Sequence, residues 1–356
     1  MSALIDSDPL CSHMTMIRFA SALLVVSCAF LARVDGVRAQ GFGVTAADAL
    51  PSKGVRLDKQ QVQRMRLGVV VTAPIACRGI NATAPIPMDW PEQQTKVVAE
   101  DFSPSVKNVT YRTVGGTVKQ MVMQMPYIPP GEECRAVITV EFTRYALLPP
   151  LDTTIFVIPN NDKLKPDIRS YLGPSPLIEC NHVKIRNLAK ELVGNPAGDK
   201  NKSKSADAPP VEQKIAWARA EALYDWVRGH VEFREGQVKG AIAALKDSNG
   251  GTEDLTSLFI ALCRASKIPA RTVWVAGGSY PEFYLEDGDG KGYWFPCAMT
   301  GNREFGGISD FRPILEKGDN FQVPERKDRQ RFIAEHLTGS GGAPQVQFLR
   351  EMVAGG

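Results

Sequence analysis

The chain has 356 residues, 44% of them hydrophobic and 23% charged, with a formal net charge of +3. That length supports more than one hydrophobic core. The balanced charge, with its longest basic run confined to a polar stretch around residues 200–204, argues against a nucleic-acid partner.

Residues 19–32 form an apolar run preceded by Arg18, and Val37-Arg38-Ala39 supplies small residues in a cleavage-like pattern. Residues 1–39 therefore read as an export signal, with the mature chain starting near Gln40 and lying in the periplasm or outside the cell. Asp6 and Asp8 are foreign to such a leader, which places the translation start at Met14 or Met16. The run is shorter than the roughly 20 residues needed to cross a bilayer, so no transmembrane span is expected in the mature chain. Val25-Val26-Ser27-Cys28 loosely resembles a lipobox, which makes a lipid anchor at Cys28 the alternative to a freely exported chain.

After a lead at 40–65, residues 66–160 read as a β domain. Stretches at 66–72 and 95–99 are rich in β-branched residues, and Asn108-Val109-Thr110-Tyr111 runs into a Gly115-Gly116 turn. Met121, Met123 and Met125 alternate with polar neighbours, as do Ala136, Ile138, Val140 and Phe142, the period expected of half-buried strands. Short strands at this spacing predict an all-β, immunoglobulin-like sandwich. Residues 161–210 form a connecting segment with a helix at 183–192 and a polar linker from 195. A core at 211–300 follows. It opens on a helix whose predicted apolar face is Ile215, Ala218, Ala222, Trp226 and Val227, with a second short helix at 240–245. The extension 301–356 is expected to carry helices at 325–337 and 344–352.

Seven cysteines are present, five of them after the leader: Cys77, Cys134, Cys180, Cys263 and Cys297. In an oxidising compartment Cys77 and Cys134 are candidates to pair. His182, His230 and His336 are too scattered for a metal site. Glu286-Asp287-Gly288-Asp289-Gly290 lacks the later ligands of a calcium loop and reads as a tight turn. No metal and no cofactor are expected.

The informative segment is 251–271: Gly251-Thr252-Glu253-Asp254 opening a helix, then Leu262-Cys263-Arg264-Ala265 and Ile268-Pro269-Ala270-Arg271. With Trp226-Val227-Arg228 before it, and Tyr280-Pro281-Glu282-Phe283-Tyr284 and Gly292-Tyr293-Trp294-Phe295-Pro296 after it, it resembles the transglutaminase-like superfamily, relatives of papain-type cysteine peptidases. The resemblance implies an α+β core in which a cysteine at a helix N-terminus is activated by a histidine and an aspartate on neighbouring strands. Carried over by position, the cysteine's place holds Thr252, the histidine's Gly278 and the aspartate's Ala298. An internal threonine lacks the free N-terminal amine that activates threonine nucleophiles, so Thr252 reads as a helix cap.

The expectation is an exported protein, a β-sandwich followed by a transglutaminase-like domain without catalysis, acting as a binding or scaffolding module for a peptide or cell-envelope partner. The alternative is a divergent cysteine-type amide hydrolase or acyltransferase using Cys297. Trp274, Tyr280, Glu282 and Trp294 are the candidates for lining a residual cleft, although aromatic residues on such strands are more often core.

Overall fold

The computed structural model describes residues 53–194, 215–324 and 326–353. The leader, Cys28 and the linker from residue 195 lie outside them. The described residues belong to one compact unit, 50–356.

The first six strands are β1 (Arg56–Ala73), β2 (Cys77–Ile86), β3 (Gln93–Phe102), β4 (Asn108–Val114), β5 (Val118–Ile128) and β6 (Glu132–Leu148). Period-2 alternation sets their facing: Met65, Leu67, Val69 and Val71 of β1, the methionine stripe of β5, and Ala136, Ile138, Val140 and Phe142 of β6 are all buried in one core. Gly115 and Gly116 both take positive φ (58° and 74°), as the β4–β5 hairpin turn requires. Gly68 admits no side chain, because a Cβ there would stand 2.1 Å from the Ala136 carbonyl oxygen across the β1–β6 ladder. Cys77 and Cys134 are both buried and free, so the expected pairing is not formed.

A short helix α1 (Pro166–Arg169) precedes α2 (Val183–Val193), whose N-cap His182 accepts the Lys184 backbone N–H on Nδ1 at 3.2 Å. Then come α3 (Ala216–His230), β7 (Glu232–Phe233), α4 (Ala241–Asp247), β8 (Asn249–Gly250) and α5 (Thr252–Ala265). The predicted face of α3 is rotated. Ala216, Trp217, Ala220, Leu223, Tyr224 and Val227 are buried, while Trp226 is half-buried and stacks on His230 at 4.6 Å. Trp217 decides the rotation, since its ring packs against Phe283, Phe295 and Phe305.

β9 (Ala270–Val275), β10 (Gly278–Glu286), β11 (Gly292–Ala298), β12 (Glu304–Phe305) and β13 (Ile314–Lys317) follow. The last strands are β14 (His336–Gly341) and β15 (Gln345–Val353): β15 stands where a helix was expected at 344–352, and in place of the helix expected at 325–337 the described residues form irregular chain that runs into β14. Two large sheets result, ordered β15-β1-β6-β3 and β12-β11-β10-β9-β13-β5-β2-β14, with β4 beside β5, and β7 pairs with β8 in a small third. β15 runs along β1 from Thr72↔Gln345 to Arg64↔Val353, and β14 joins β2. Phe348, Leu349 and Met352 suit a helix period as well as a strand, and the ladder with β1 settles the choice. Glu316, opposite both Trp274 and Val118, carries the second sheet from the N-terminal strands into the core strands.

α5 lies against β9 and β10, with Leu258, Phe259 and Leu262 in one apolar cluster with Phe283, Leu285 and Phe295. The fold is α+β, with a β-rich N-terminal region followed by the helix-and-sheet core. No helix among the described residues is long and apolar enough to cross a membrane.

Candidate functional site

The N-terminus of α5 is built by Asp254 rather than by Thr252. Gly251 is the N-cap and Thr252 the first helical residue, which corrects the expectation that Thr252 caps the helix. The buried Asp254 carboxylate accepts the Gly251 N–H (3.1 Å) and the N–H groups of Lys239 and Gly240 (2.8 Å each). It thus satisfies one of the helix's own orphan donors and ties the loop before α4 to the start of α5.

Thr252 is half-buried, and the hydrogen-bond partner of its Oγ1 is Thr300 Oγ1 at 3.4 Å, a long contact between two hydroxyls. The β10–β11 register pairs Glu282 with Pro296. Gly278 opens β10, Ala298 closes β11, and Thr300 lies in the bend just after it, so the hydroxyl pair joins the start of α5 to the end of β11. Thr300 carries no signal of its own in the sequence.

Each strand position is held by other groups. The Ala298 carbonyl accepts Tyr224 Oη–H (2.8 Å) and Arg228 Nη1–H (2.9 Å), and Arg228 Nη2 donates to the Gly301 carbonyl at 2.7 Å. α3 thereby clamps the end of β11, which explains the Arg228 quoted in the motif. At Gly278 a Cβ would stand 2.9 Å from Arg312 Nη1, so the Arg312 guanidinium covers the space a side chain there would enter. Asp310 holds that guanidinium through both Nε and Nη2, and raises its pKa.

The cleft candidates do not share a wall. Trp274 faces the α5 side, its Nε1 donating to the Gly318 carbonyl at 2.8 Å. Tyr280 and Glu282 are buried. Tyr280 Oη accepts Arg144 Nη2–H at 2.9 Å. Glu282 takes Arg271 on Oε2 (3.0 and 2.9 Å) and Lys317 on Oε1 (2.7 Å), and Lys317 also donates to Glu92 at 2.5 Å. Burial alone would raise the Glu282 pKa, but Lys317 and Arg271 outweigh it and hold the carboxyl below its ordinary value. Trp294 lies 4.0 Å from the Arg271 guanidinium, a cation–π contact that seals this ion network.

Cys297 faces the interior. It is fully buried, and burial pushes its thiol far above the ordinary range. Cys263 is likewise buried and raised. His182 caps α2, His230 Nδ1 lies 2.9 Å from the Trp226 carbonyl oxygen, and His336 is in β14. Among the described residues no cluster of three or more His, Cys, Asp or Glu could hold a metal ion. Asp287 closes the β10–β11 turn, accepting the backbone N–H of Asp289 and Lys291 and the Lys53 ammonium.

The profile of the transglutaminase-like superfamily matches residues 205–298. A solved structure from Cytophaga hutchinsonii, described as a candidate cysteine protease, is 15% identical. It covers 83% of this chain and 93% of its own, with a TM-score of 0.51, a likeness of fold alone. The periplasmic domain of TgpA from Pseudomonas aeruginosa aligns at 12% identity over 65% of this chain and 87% of its own, at a TM-score of 0.30. None of the curated proteins compared with the chain matches it. The motif helix, the strands around it and the matched profile agree: residues 205–298 are similar to the transglutaminase-like superfamily.

Proposed function

We propose that the protein is an exported, non-catalytic receptor that uses the transglutaminase-like core to hold an extended peptide segment at the cell envelope. One observation carries this reading. The hydroxyl at the nucleophile's position has another hydroxyl for a partner, where acyl transfer needs an imidazole, and no sulfur replaces it. Loss of triad members costs about three to six orders of magnitude in rate, so ordinary amide hydrolysis or transamidation falls below detection. The leader-like N-terminus supports export, and the ancestry of the pocket supports a peptide ligand. For the alternative enzyme, Cys297 is the available sulfur, and its complete burial and raised pKa deprive it of the thiolate that the reaction needs.

The test is direct. Purified protein incubated with peptide amides should turn over no faster than its Thr252→Ala variant. Restoring Thr252→Cys, Gly278→His and Ala298→Asp together should create measurable hydrolysis, with Arg312, the far end of a flexible side chain, swinging aside to admit the imidazole. Wild-type turnover abolished by Thr252→Ala would overturn the proposal.

A further inference from the structure

We propose that residues 330–335 form a strap across the first turn of α5, so that entry to the site beside Thr252 is governed by this segment rather than by the residues of the site. The inference rests on reading that end of α5 as a receptor site, and it names how the site is regulated.

The strap is fixed at its ends and lightly held in its middle. At one end Phe321 and Gln330 exchange backbone hydrogen bonds of 2.8 and 2.9 Å. At the other, Ile333 is buried and its N–H donates to Glu316 Oε2 at 2.8 Å. Between them stand two side chains that do not continue the core. Arg331 Nη2 donates to Glu253 Oε2 at 2.8 Å, and Glu253 is the residue next to Thr252. The same guanidinium lies 5.2 Å from the Trp274 ring. Phe332, itself 41% exposed, sets its ring 5.2 Å from Trp274.

Trp274 and Glu253 thus form one flank of the site, and Arg331 and Phe332 cover both. The Arg331 and Glu253 side chains are 18% and 29% exposed, so their pair is only partly shielded from water and can be exchanged for a competing partner at modest cost. An extended ligand reaching Thr252 from the β9 side would meet Arg331 and Phe332 first. Displacing them would free a carboxylate and an indole face, which suit a peptide carrying a basic and an aromatic side chain.

A cysteine placed at the site reports access without any ligand. The five described native cysteines are buried, and wild-type protein treated in parallel subtracts whatever other thiols contribute. Thr252→Cys is labelled with iodoacetamide, alone and combined with Arg331→Ala and Phe332→Ala. Removing Arg331 unpairs Glu253 beside the new thiol, which raises its pKa and slows labelling near neutrality. The rate is therefore followed to alkaline pH, where the plateau reports access and the midpoint reports charge.

The expected result is a plateau about tenfold higher without the strap side chains, because labelling through a locally opened form scales with the opening equilibrium. A milder Arg331→Gln variant, which keeps Phe332 and the side-chain stem, should give a smaller rise in the same direction and guards against a misfolded double variant. Unchanged plateaus in folded variants, checked by thermal melting, would overturn the strap and leave the receptor proposal standing. A faster plateau with no gain in binding of a Lys- and Phe-containing test peptide would instead sink the receptor reading and keep the strap.

Discussion

Two ends of the core make an instructive contrast. Around Arg264, Arg271 and Glu282, buried charges are paired to the last hydrogen bond: Arg264 donates to both oxygens of Asp319 (2.8 and 2.7 Å), to the Ala270 and Gly173 carbonyls and to Ser175. At the start of α5, by contrast, two threonine hydroxyls meet at 3.4 Å, and what Ala298 offers nearby is its carbonyl. The core therefore has a scaffold half, built by Asp254, Arg264, Arg271 and Glu282, and a sparsely bonded half around Thr252 that contributes little to it.

That contrast can be broken by substitution, beginning where the largest effect is expected. Arg264→Ala would leave Asp319 charged and unpaired in a dry site, and stability should fall by about 3–5 kcal/mol. Denaturant titration reads this as a lower midpoint, and a loss under about 1 kcal/mol would show that Arg264 is not part of the scaffold half. Glu316 sharpens the comparison through pH. Burial raises its pKa to about 8, against an ordinary value of 4.5, so the folded state holds a proton that the unfolded chain releases. Its contribution is fully present below about pH 4.5 and is lost as pH climbs toward 8, by at most about 5 kcal/mol. Glu316→Gln should flatten the melting temperature across that window, and an unchanged slope would assign the dependence elsewhere. Glu282, with its lowered pKa, acts with the opposite sign, in more acidic solution. The smallest effect belongs to Thr252→Ala, where one long hydroxyl contact is lost: less than about 1 kcal/mol. A much larger loss would mean that this hydroxyl belongs to the scaffold.

The helix-and-strand core was legible because its motif residues Asp254, Arg264 and Arg271 are closely spaced in the chain. Their roles were not: Thr252 was expected to cap α5 and Glu282 to line a cleft, whereas Asp254 holds the N-cap and Glu282 pairs with Arg271 across one hairpin. What surrounds Thr252, Gly278 and Ala298 was not legible, because Thr300, Arg312 and Arg331 come from segments without periodicity and reach the site only through the path of the chain. β14 and β15 were missed for a related reason. Most of their residues are exposed, so no buried face imposes alternation, and their partners β2 and β1 lie at the far end of the sequence. The face of α3 was misassigned because Trp217 and Trp226 weigh equally in a hydrophobic pattern, and only the aromatic cluster around Phe295 distinguishes them.

The second sheet carries a consequence for anyone wishing to borrow this core. β9 finds its outer neighbour in β13, β13 reaches β5, and Asp319, directly beyond β13, is the counter-ion that Arg264 cannot lack. Excising residues 211–300 would strip a central strand of its partner and strand a guanidinium in the interior. A transplant must bring the downstream segment with it, so the portable unit is larger than the stretch that family likeness outlines.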